Sequence, residues 1–200
     1  LPSFADRQAF PGRSALVAGL AMLTAGAAAS LPAQPVPGDL TEEYVSDYDG
    51  RSRHAIYVPS GYSADRGWPL VLIMDARGRA LVPLERMIPA AERWGYILVS
   101  SYDTASDGPS EPNAVAVEAM LEDAQDLFSV DARRLYFVGF SGTARQAWTF
   151  GRQLAAYTHG VIGFGAGLPS PTFLLTMQLD GGPPPFAFFG GAGRLDFNYE

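Results

Sequence analysis

The sequence predicts an α/β protein with three layers, in which a mostly parallel sheet carries helices on both faces. Short, nearly continuous apolar runs are the first indication, because strands covered on both faces have this pattern. Helical segments between most of these runs are the second, since connections of this length predict right-handed crossovers between parallel strands. The runs are residues 70–74, 96–99, 135–138, 161–164 and 186–189.

Three helices complete this prediction. Apolar residues recur every three or four positions over 114–128, which makes this the clearest helix. A second helix is predicted over 82–94, where Gly95 ends it and Pro89 kinks or restarts it. A third is predicted to run from Gly142 to about Tyr157. Together with the strands they give an alternating β–α order typical of a parallel sheet.

The N-terminal region predicts export. Two arginines precede an apolar run of small residues at 15–29, and residues 1–33 have the pattern of a cleavable signal peptide. The run is shorter than the roughly 20 apolar residues of a transmembrane helix. We therefore expect a periplasmic or secreted protein with no stable membrane insertion after signal removal. Residues 34–50 are predicted to be a Pro-rich connector, and polar–apolar alternation from Arg51 marks the first strand of a domain spanning 51–200.

Composition excludes several classes of protein. The formal net charge is −7 and no block of Lys or Arg occurs, so a nucleic-acid surface has no electrostatic support. The absence of cysteine excludes disulfides, thiolate zinc sites and a cysteine nucleophile. With only two histidines, a histidine-rich metal site is not expected, and neither is a cofactor. Small neutral or cationic partners remain open.

A candidate nucleophile lies where one predicted strand runs into the sequence GFSGT, residues 139–143. A strand, a sharp turn and a helix in succession are what a nucleophile elbow needs, so Ser141 is the candidate. Gly139 and Gly142 relieve crowding around the strained serine backbone. Thr143 departs from the final glycine of the G-x-S-x-G pattern and adds a β-branched side chain where space is tightest. The alternative is that GFSG is an ordinary tight turn.

The sequence also offers an oxyanion hole and an acid. The backbone N–H of Gly142 begins a helix, and the loop after the strand at 70–74 offers the amides of Ala76 and Arg77. Asp196 follows the last apolar run in a glycine-rich loop, which is the chain order expected of a Ser, Asp, His triad. The alternatives are a plain connecting loop at 75–79 and an aspartate that caps a turn.

Other polar residues have weaker patterns. Ser101, Tyr102 and Asp103 follow the strand at 96–99 and are candidates for the pocket, with Asp103 as an alternative acid. His159 precedes the strand at 161–164, which places it at the amino edge, whereas ligands gather beyond the carboxyl ends of parallel strands. His54 is predicted to lie on the surface or at a sheet edge. Neither histidine is expected to be the catalytic base.

Several stretches together resemble a known family. They are YVPSGY, DARGRALVPLERM, AAERWGYILVSSYDT, RRLYFVGFSGTAR and FFGGAGRLDFNYE, all within residues 51–200. They are similar to esterases of the polyhydroxybutyrate-depolymerase and dienelactone-hydrolase-like branch of the α/β-hydrolases. The resemblance implies that Ser141 is the nucleophile, Asp196 the acid, and Gly142 with the Ala76 region the oxyanion hole.

The resemblance also implies a further helix and strand after the acid, which bring a histidine to the site. We therefore expect a partial domain, truncated at the C-terminus, with the last strand and helix missing. The expected function is a serine hydrolase that cleaves carboxylic esters through an acyl-enzyme, with doubtful activity in these 200 residues alone. The alternatives are a non-catalytic binding protein on the same fold and a hydrolase of the prolyl-peptidase type.

Overall fold

A seven-stranded mixed sheet organises the chain, in the order β1-β2-β4-β3-β5-β6-β7. The computed structural model describes residues 34–107, 109–166 and 186–196. The predicted signal peptide at 1–33 lies outside the described residues, and so does the Pro- and Gly-rich segment between β6 and β7. Strands β4, β3, β5, β6 and β7 are parallel, whereas β2 is antiparallel to both β1 and β4. The mostly parallel sheet predicted from the apolar runs is confirmed.

The strands and helices alternate as expected from the sequence. The strands are β1 Leu40–Val45, β2 Arg53–Tyr57, β3 Trp68–Met74, β4 Ile97–Ser101, β5 Val130–Phe140, β6 Thr158–Phe164 and β7 Ala187–Gly191. The helices are α1 Leu81–Trp94, α2 Glu111–Leu127 and α3 Gly142–Gln153. Among the described helices, none has the length and apolar character that crossing a bilayer requires.

Helices cover both faces of the sheet. On one face α1 packs through Leu84 and Ala91 against Val71 and Ile73 of β3, in a cluster that also contains Val138 of β5. Residues along a strand alternate between faces, so the neighbouring positions point to the layer of α2 and α3. There Trp148 of α3 packs on β7, and Asp123 of α2 contacts β2. The three-layer α/β architecture predicted from the sequence is thereby confirmed.

Two local structures differ from the sequence-based expectation. The stretch 34–50, predicted to be a connector, contains strand β1, which pairs with β2. Its pattern is mostly exposed, with Glu42 and Glu43 on the outside and Tyr44 buried, so its apolar periodicity is weak. Charged side chains of this kind are common on edge strands, where they discourage pairing with other chains. Pro89 lies inside the continuous helix α1, which does not restart there.

Candidate active site

Ser141 occupies a strained turn between β5 and α3. Its backbone has φ 59° and ψ −130°, and Ser141 and Asp107 are the two non-glycine residues with positive φ in the described chain. Such a conformation costs on the order of 1–3 kcal/mol and persists when surrounding contacts enforce it. One of these contacts is the N–H of Ser141, which donates to the carbonyl of Phe164 at 2.7 Å. The turn thus has the strand, strained serine and helix of a nucleophile elbow.

The glycines around Ser141 are required by close approach. A Cβ on Gly139 would lie 2.3 Å from the carbonyl oxygen of Thr143 and 2.6 Å from the Cα of Ala144. A Cβ on Gly142 would lie 2.5 Å from the Cβ of Ser106. Real Cβ atoms do not approach other heavy atoms so closely, so any larger residue would displace the backbone or the neighbouring loop. The predicted steric role of both glycines is therefore consistent with the geometry.

Thr143 fits its position and hydrogen-bonds both sides of the elbow. The side chain is fully buried, and its Oγ1 accepts the N–H of Phe140 at 3.0 Å. The same hydroxyl lies 2.8 Å from the carbonyl oxygens of Met74 and Phe140, to either of which it can donate its single proton. The threonine that departs from the G-x-S-x-G pattern therefore contributes hydrogen bonds to the backbone of β3 and β5.

The loop after β3 is organised by a buried carboxylate. Asp75 Oδ1 accepts the backbone N–H groups of Arg77 at 2.9 Å and Arg79 at 3.2 Å. The guanidinium of Arg79 binds both carboxylate oxygens, each at 2.9 Å. Burial alone would raise the pKa of Asp75, but these hydrogen bonds outweigh it and hold that pKa below its ordinary value. Asp75 therefore favours its ionised form, and its hydrogen bonds connect the end of β3 to residues 77 and 79 of the loop.

A second loop, after β4, joins this arrangement. The N–H of Ser106 donates to the carbonyl of Ala76 at 3.0 Å, and its side chain contacts Gly142 of the elbow. The hydroxyl of Thr104 donates to the carbonyl of Asp75 at 3.0 Å. The loops after β3, β4 and β5 thus meet at the carboxyl edge of the sheet. Sequence analysis missed Asp75 and Ser106, although an aspartate at a strand end is a turn signal.

The candidate pocket residues after β4 have their contacts elsewhere. The hydroxyl of Ser101 accepts the N–H of Asp103, and the hydroxyl of Tyr102 donates to the carbonyl of Glu42. The carboxylate of Asp103 accepts the N–H of Arg53 at 2.7 Å. These side chains engage β1, β2 and their own loop, and none of the three lines the cavity described below.

Asp196 lies beside the elbow. A Cβ on Gly165 would be 3.2 Å from Asp196 Oδ2, so the carboxylate lies against the residue that follows β6. The carbonyl of the preceding residue, Phe164, accepts a hydrogen bond from the N–H of Ser141. The N–H of Asp196 closes a turn onto the carbonyl of Gly193 at 2.9 Å. The structure thus brings the predicted nucleophile and the predicted acid to the same edge of the sheet.

A cavity of about 660 Å³ opens next to these residues, between α1 and the ends of β3, β5, β6 and β7. Its apolar wall includes Met87, Phe140 and Phe164. Its charged lining contains both signs, from Arg79, Arg86, Asp75 and Asp196. Ser141 itself is not among the lining residues, although Phe140 and Asp196 are. The cavity is therefore adjacent to the elbow and not centred on it.

Neither histidine lies at this edge. His54 is fully buried, and its Nε2 lies 3.0 Å from Asp123 Oδ2 on α2. The prediction that His54 lies at the surface or an edge is wrong, because β1 flanks its strand and α2 covers it. His159 is exposed at the start of β6, where its ring packs edge-on against Tyr136 at 5.6 Å between centroids. It is at the amino edge, as predicted.

Comparison with known proteins identifies the fold. No protein-family profile and no curated protein matches the sequence. Among solved structures, the chain is similar to the fluorophosphonate-binding serine hydrolase F of Staphylococcus aureus, with 12% identity, 82% of each chain covered and a TM-score of 0.64. It is also similar to S-formylglutathione hydrolase from Staphylococcus aureus, with 10% identity, 82% and 81% coverage and a TM-score of 0.61. A feruloyl esterase module from Clostridium thermocellum has 14% identity, 82% and 72% coverage and a TM-score of 0.60.

Proposed function

Because the chain has the α/β-hydrolase fold, we propose that it is a serine hydrolase that cleaves carboxylic esters through an acyl-enzyme on Ser141. The observation that carries this proposal is the strained backbone of Ser141 between β5 and α3. A positive φ is costly for serine, and the usual benefit is exposure of the hydroxyl above the sheet. A plain connecting turn would have no need of this conformation.

In the proposed reaction the hydroxyl of Ser141 would pass its proton to a base and attack the ester carbonyl to form a tetrahedral intermediate. The C–O bond to the alcohol would then break, the alcohol would leave with that proton, and water would hydrolyse the acyl-enzyme. The N–H of Gly142, at the first turn of α3, would stabilise the negative oxygen, aided by the helix dipole. We assign the second donor to the N–H of Ala76. The amide of Arg77 already donates to Asp75, so Ala76 is the better of the two predicted amides.

The acid in this proposal is Asp196, which would orient and stabilise a protonated base. The cavity beside Phe140 would receive the acyl or alcohol part of a small-molecule or polymer ester. The base itself has no candidate among the two histidines, since His54 is bound to Asp123 and His159 lies at the opposite edge. A serine hydroxyl needs a base to become a good nucleophile, so the proposal requires one that neither of these histidines supplies.

A second candidate function is a binding protein on the α/β-hydrolase fold, for which the cavity of about 660 Å³ beside the elbow would be the ligand site. In this case the elbow would be a feature of the fold with no catalytic role, and the cavity would bind a ligand without converting it. The two candidates differ in the reactivity of Ser141, because a binding protein has no reason to activate its hydroxyl.

Labelling with an alkyl fluorophosphonate, with and without imidazole as an external base, distinguishes the serine hydrolase from the binding protein. The hydrolase proposal predicts one phosphonyl adduct at Ser141, found by peptide mass spectrometry and formed faster as imidazole is added. Ser141→Ala should remain unlabelled, with an unchanged circular dichroism spectrum. A folded parent protein that takes up no probe even in imidazole would contradict the hydrolase proposal and support the binding protein.

A further inference from the structure

We propose that Thr143 is a positioning residue whose hydroxyl fixes the elbow relative to the loop after β3, and thereby sets the spacing of the Gly142 and Ala76 amides. This inference rests on the proposed function, in which those two amides stabilise the tetrahedral intermediate. Thr143 itself would touch neither the substrate nor the reacting atoms.

The hydrogen bonds of Thr143 span the two structures that carry the amides. On the elbow side Oγ1 accepts the N–H of Phe140 at 3.0 Å. On the other side it lies 2.8 Å from the carbonyl oxygen of Met74, the last residue of β3. Thr143 directly follows Gly142, and Met74 lies two residues before Ala76. When its proton is donated to Met74, the Thr143 hydroxyl joins residues close in sequence to each proposed donor.

The hydrogen bond between Thr143 and Met74 lies at the edge of the sheet, where it connects the elbow to the end of β3. The register between β3 and β5 ends with Met74 opposite Gly139, just before the elbow. The Thr143 hydroxyl continues the connection between the two strands beyond that last pair. Beyond it, Asp75 holds the loop through the amides of Arg77 and Arg79. Displacement of the elbow would thus change the geometry of both donors together.

Burial makes the hydroxyl costly to replace by an apolar group. Thr143 has no exposed surface, so in its absence the N–H of Phe140 and the carbonyl of Met74 would lose this partner away from water. The backbone would have to move to satisfy them elsewhere. The expected consequence is a shift of the elbow against the β3 loop, to which a preorganised oxyanion hole is sensitive.

Three variants test this. Thr143→Val keeps the shape and removes the hydroxyl, and Thr143→Ser keeps the hydroxyl and removes a methyl group. Thr158→Val is the matched control, because Thr158 is a buried threonine at the amino end of β6 whose Oγ1 donates to Leu154 at 3.0 Å. The readouts are steady-state hydrolysis of p-nitrophenyl acetate in imidazole and amide hydrogen exchange of residues 75–79 by mass spectrometry.

For Thr143→Val we expect kcat to fall about 100-fold with KM nearly unchanged, since misplaced donors affect the transition state more than ground-state binding. Exchange at residues 75–79 should accelerate about tenfold in the same variant as the loop opens more often. Thr143→Ser and Thr158→Val should behave like the parent in both measurements. Thr143→Val indistinguishable from Thr143→Ser, or matched by Thr158→Val, would overturn the inference.

The exchange measurement does not depend on turnover. If the parent protein fails to hydrolyse the ester, the proposed function fails, and the exchange of residues 75–79 alone decides whether Thr143 positions this loop. Faster exchange confined to Thr143→Val would then support the positioning role. Unchanged exchange would refute it, whatever the activity of the parent.

Discussion

Two pairs of polar residues in this molecule contain side-chain types of a catalytic triad but differ in burial and in backbone strain. At the carboxyl edge, Ser141 and Asp196 lie in partly exposed positions, Ser141 with a strained backbone, and both histidines lie elsewhere. Under α2, His54 and Asp123 form a close pair that resembles part of a catalytic triad. Residue types alone would favour the second set as the active site. Backbone strain and access to solvent favour the first.

The buried pair has the properties of a structural contact. Asp123 is 2% exposed and accepts the N–H of Tyr48 at 3.1 Å as well as the bond from His54. Burial alone would raise the pKa of Asp123, but the His54 ring, the Ser46 hydroxyl and the Tyr48 amide outweigh it and lower that pKa. The pair thus links β2 and the turn after β1 to α2. A His–Asp contact is therefore a weak sign of catalysis unless a nucleophile and a cavity accompany it.

The largest expected effect comes from breaking the buried pair. His54→Ala leaves the Asp123 carboxylate buried without its ring partner, which should lower the free energy of unfolding by about 3–5 kcal/mol. Urea denaturation followed by circular dichroism measures this loss. His159→Ala, at the exposed histidine, is the control and should change stability by no more than about 0.5 kcal/mol. Equal effects of the two substitutions would show that the buried pair has no special role in stability.

A smaller effect tests the tight packing at the elbow. Gly142→Ala places a Cβ 2.5 Å from Ser106 Cβ and should destabilise the protein by about 1–3 kcal/mol. Ser106→Gly removes the atom in conflict, so the double variant should recover much of the loss attributable to Gly142→Ala. A double-mutant cycle of unfolding free energies measures this coupling.

Gly61→Ala provides the control for that cycle, because its added Cβ would meet nothing within 4 Å. It should leave stability nearly unchanged and show no coupling with Ser106→Gly. Additive effects of Gly142→Ala and Ser106→Gly would contradict the close approach of the β4 loop to the elbow.

The sequence predicts most of this fold because the central strands and helices have strong local patterns. The run at 70–74 lies within β3, the helix predicted over 114–128 overlaps α2 and extends one residue past its end, and GFSGT falls at the strand-to-helix turn. Strand β1 has no such local pattern, because it is largely exposed and carries two glutamates. Its strand conformation depends on pairing with β2. The burial of His54 depends in turn on β1 and α2, which are distant in sequence.

The site residues also divide into those that a local sequence pattern predicts and those that depend on tertiary contacts. Ser141, Gly139 and Gly142 have a local signature, because strain and close approach demand particular residue types at fixed spacing. Asp75 and Ser106 act through loops that meet only after the sheet has formed. Their roles depend on tertiary contacts between different strand ends, which no local pattern encodes. Local strain is thus more predictable than the contacts that maintain it.

The smallest expected effect reverses the usual sign of a glycine substitution and so tests the strain at Ser141 directly. Both Ser141→Ala and Ser141→Gly remove the hydroxyl, but only glycine adopts a φ near 59° without steric cost. Ser141→Gly should therefore be more stable than Ser141→Ala by about 1–2 kcal/mol in urea denaturation.

At Ser60, an exposed residue with ordinary negative φ, the order should be opposite, with glycine less stable than alanine by about 0.5–1 kcal/mol. The Ala and Gly variants at each position lose the same hydroxyl contacts, so their difference isolates the backbone term. If alanine were the more stable residue at both positions, the elbow would hold no strain, and the feature that distinguishes it from the His54–Asp123 pair would disappear.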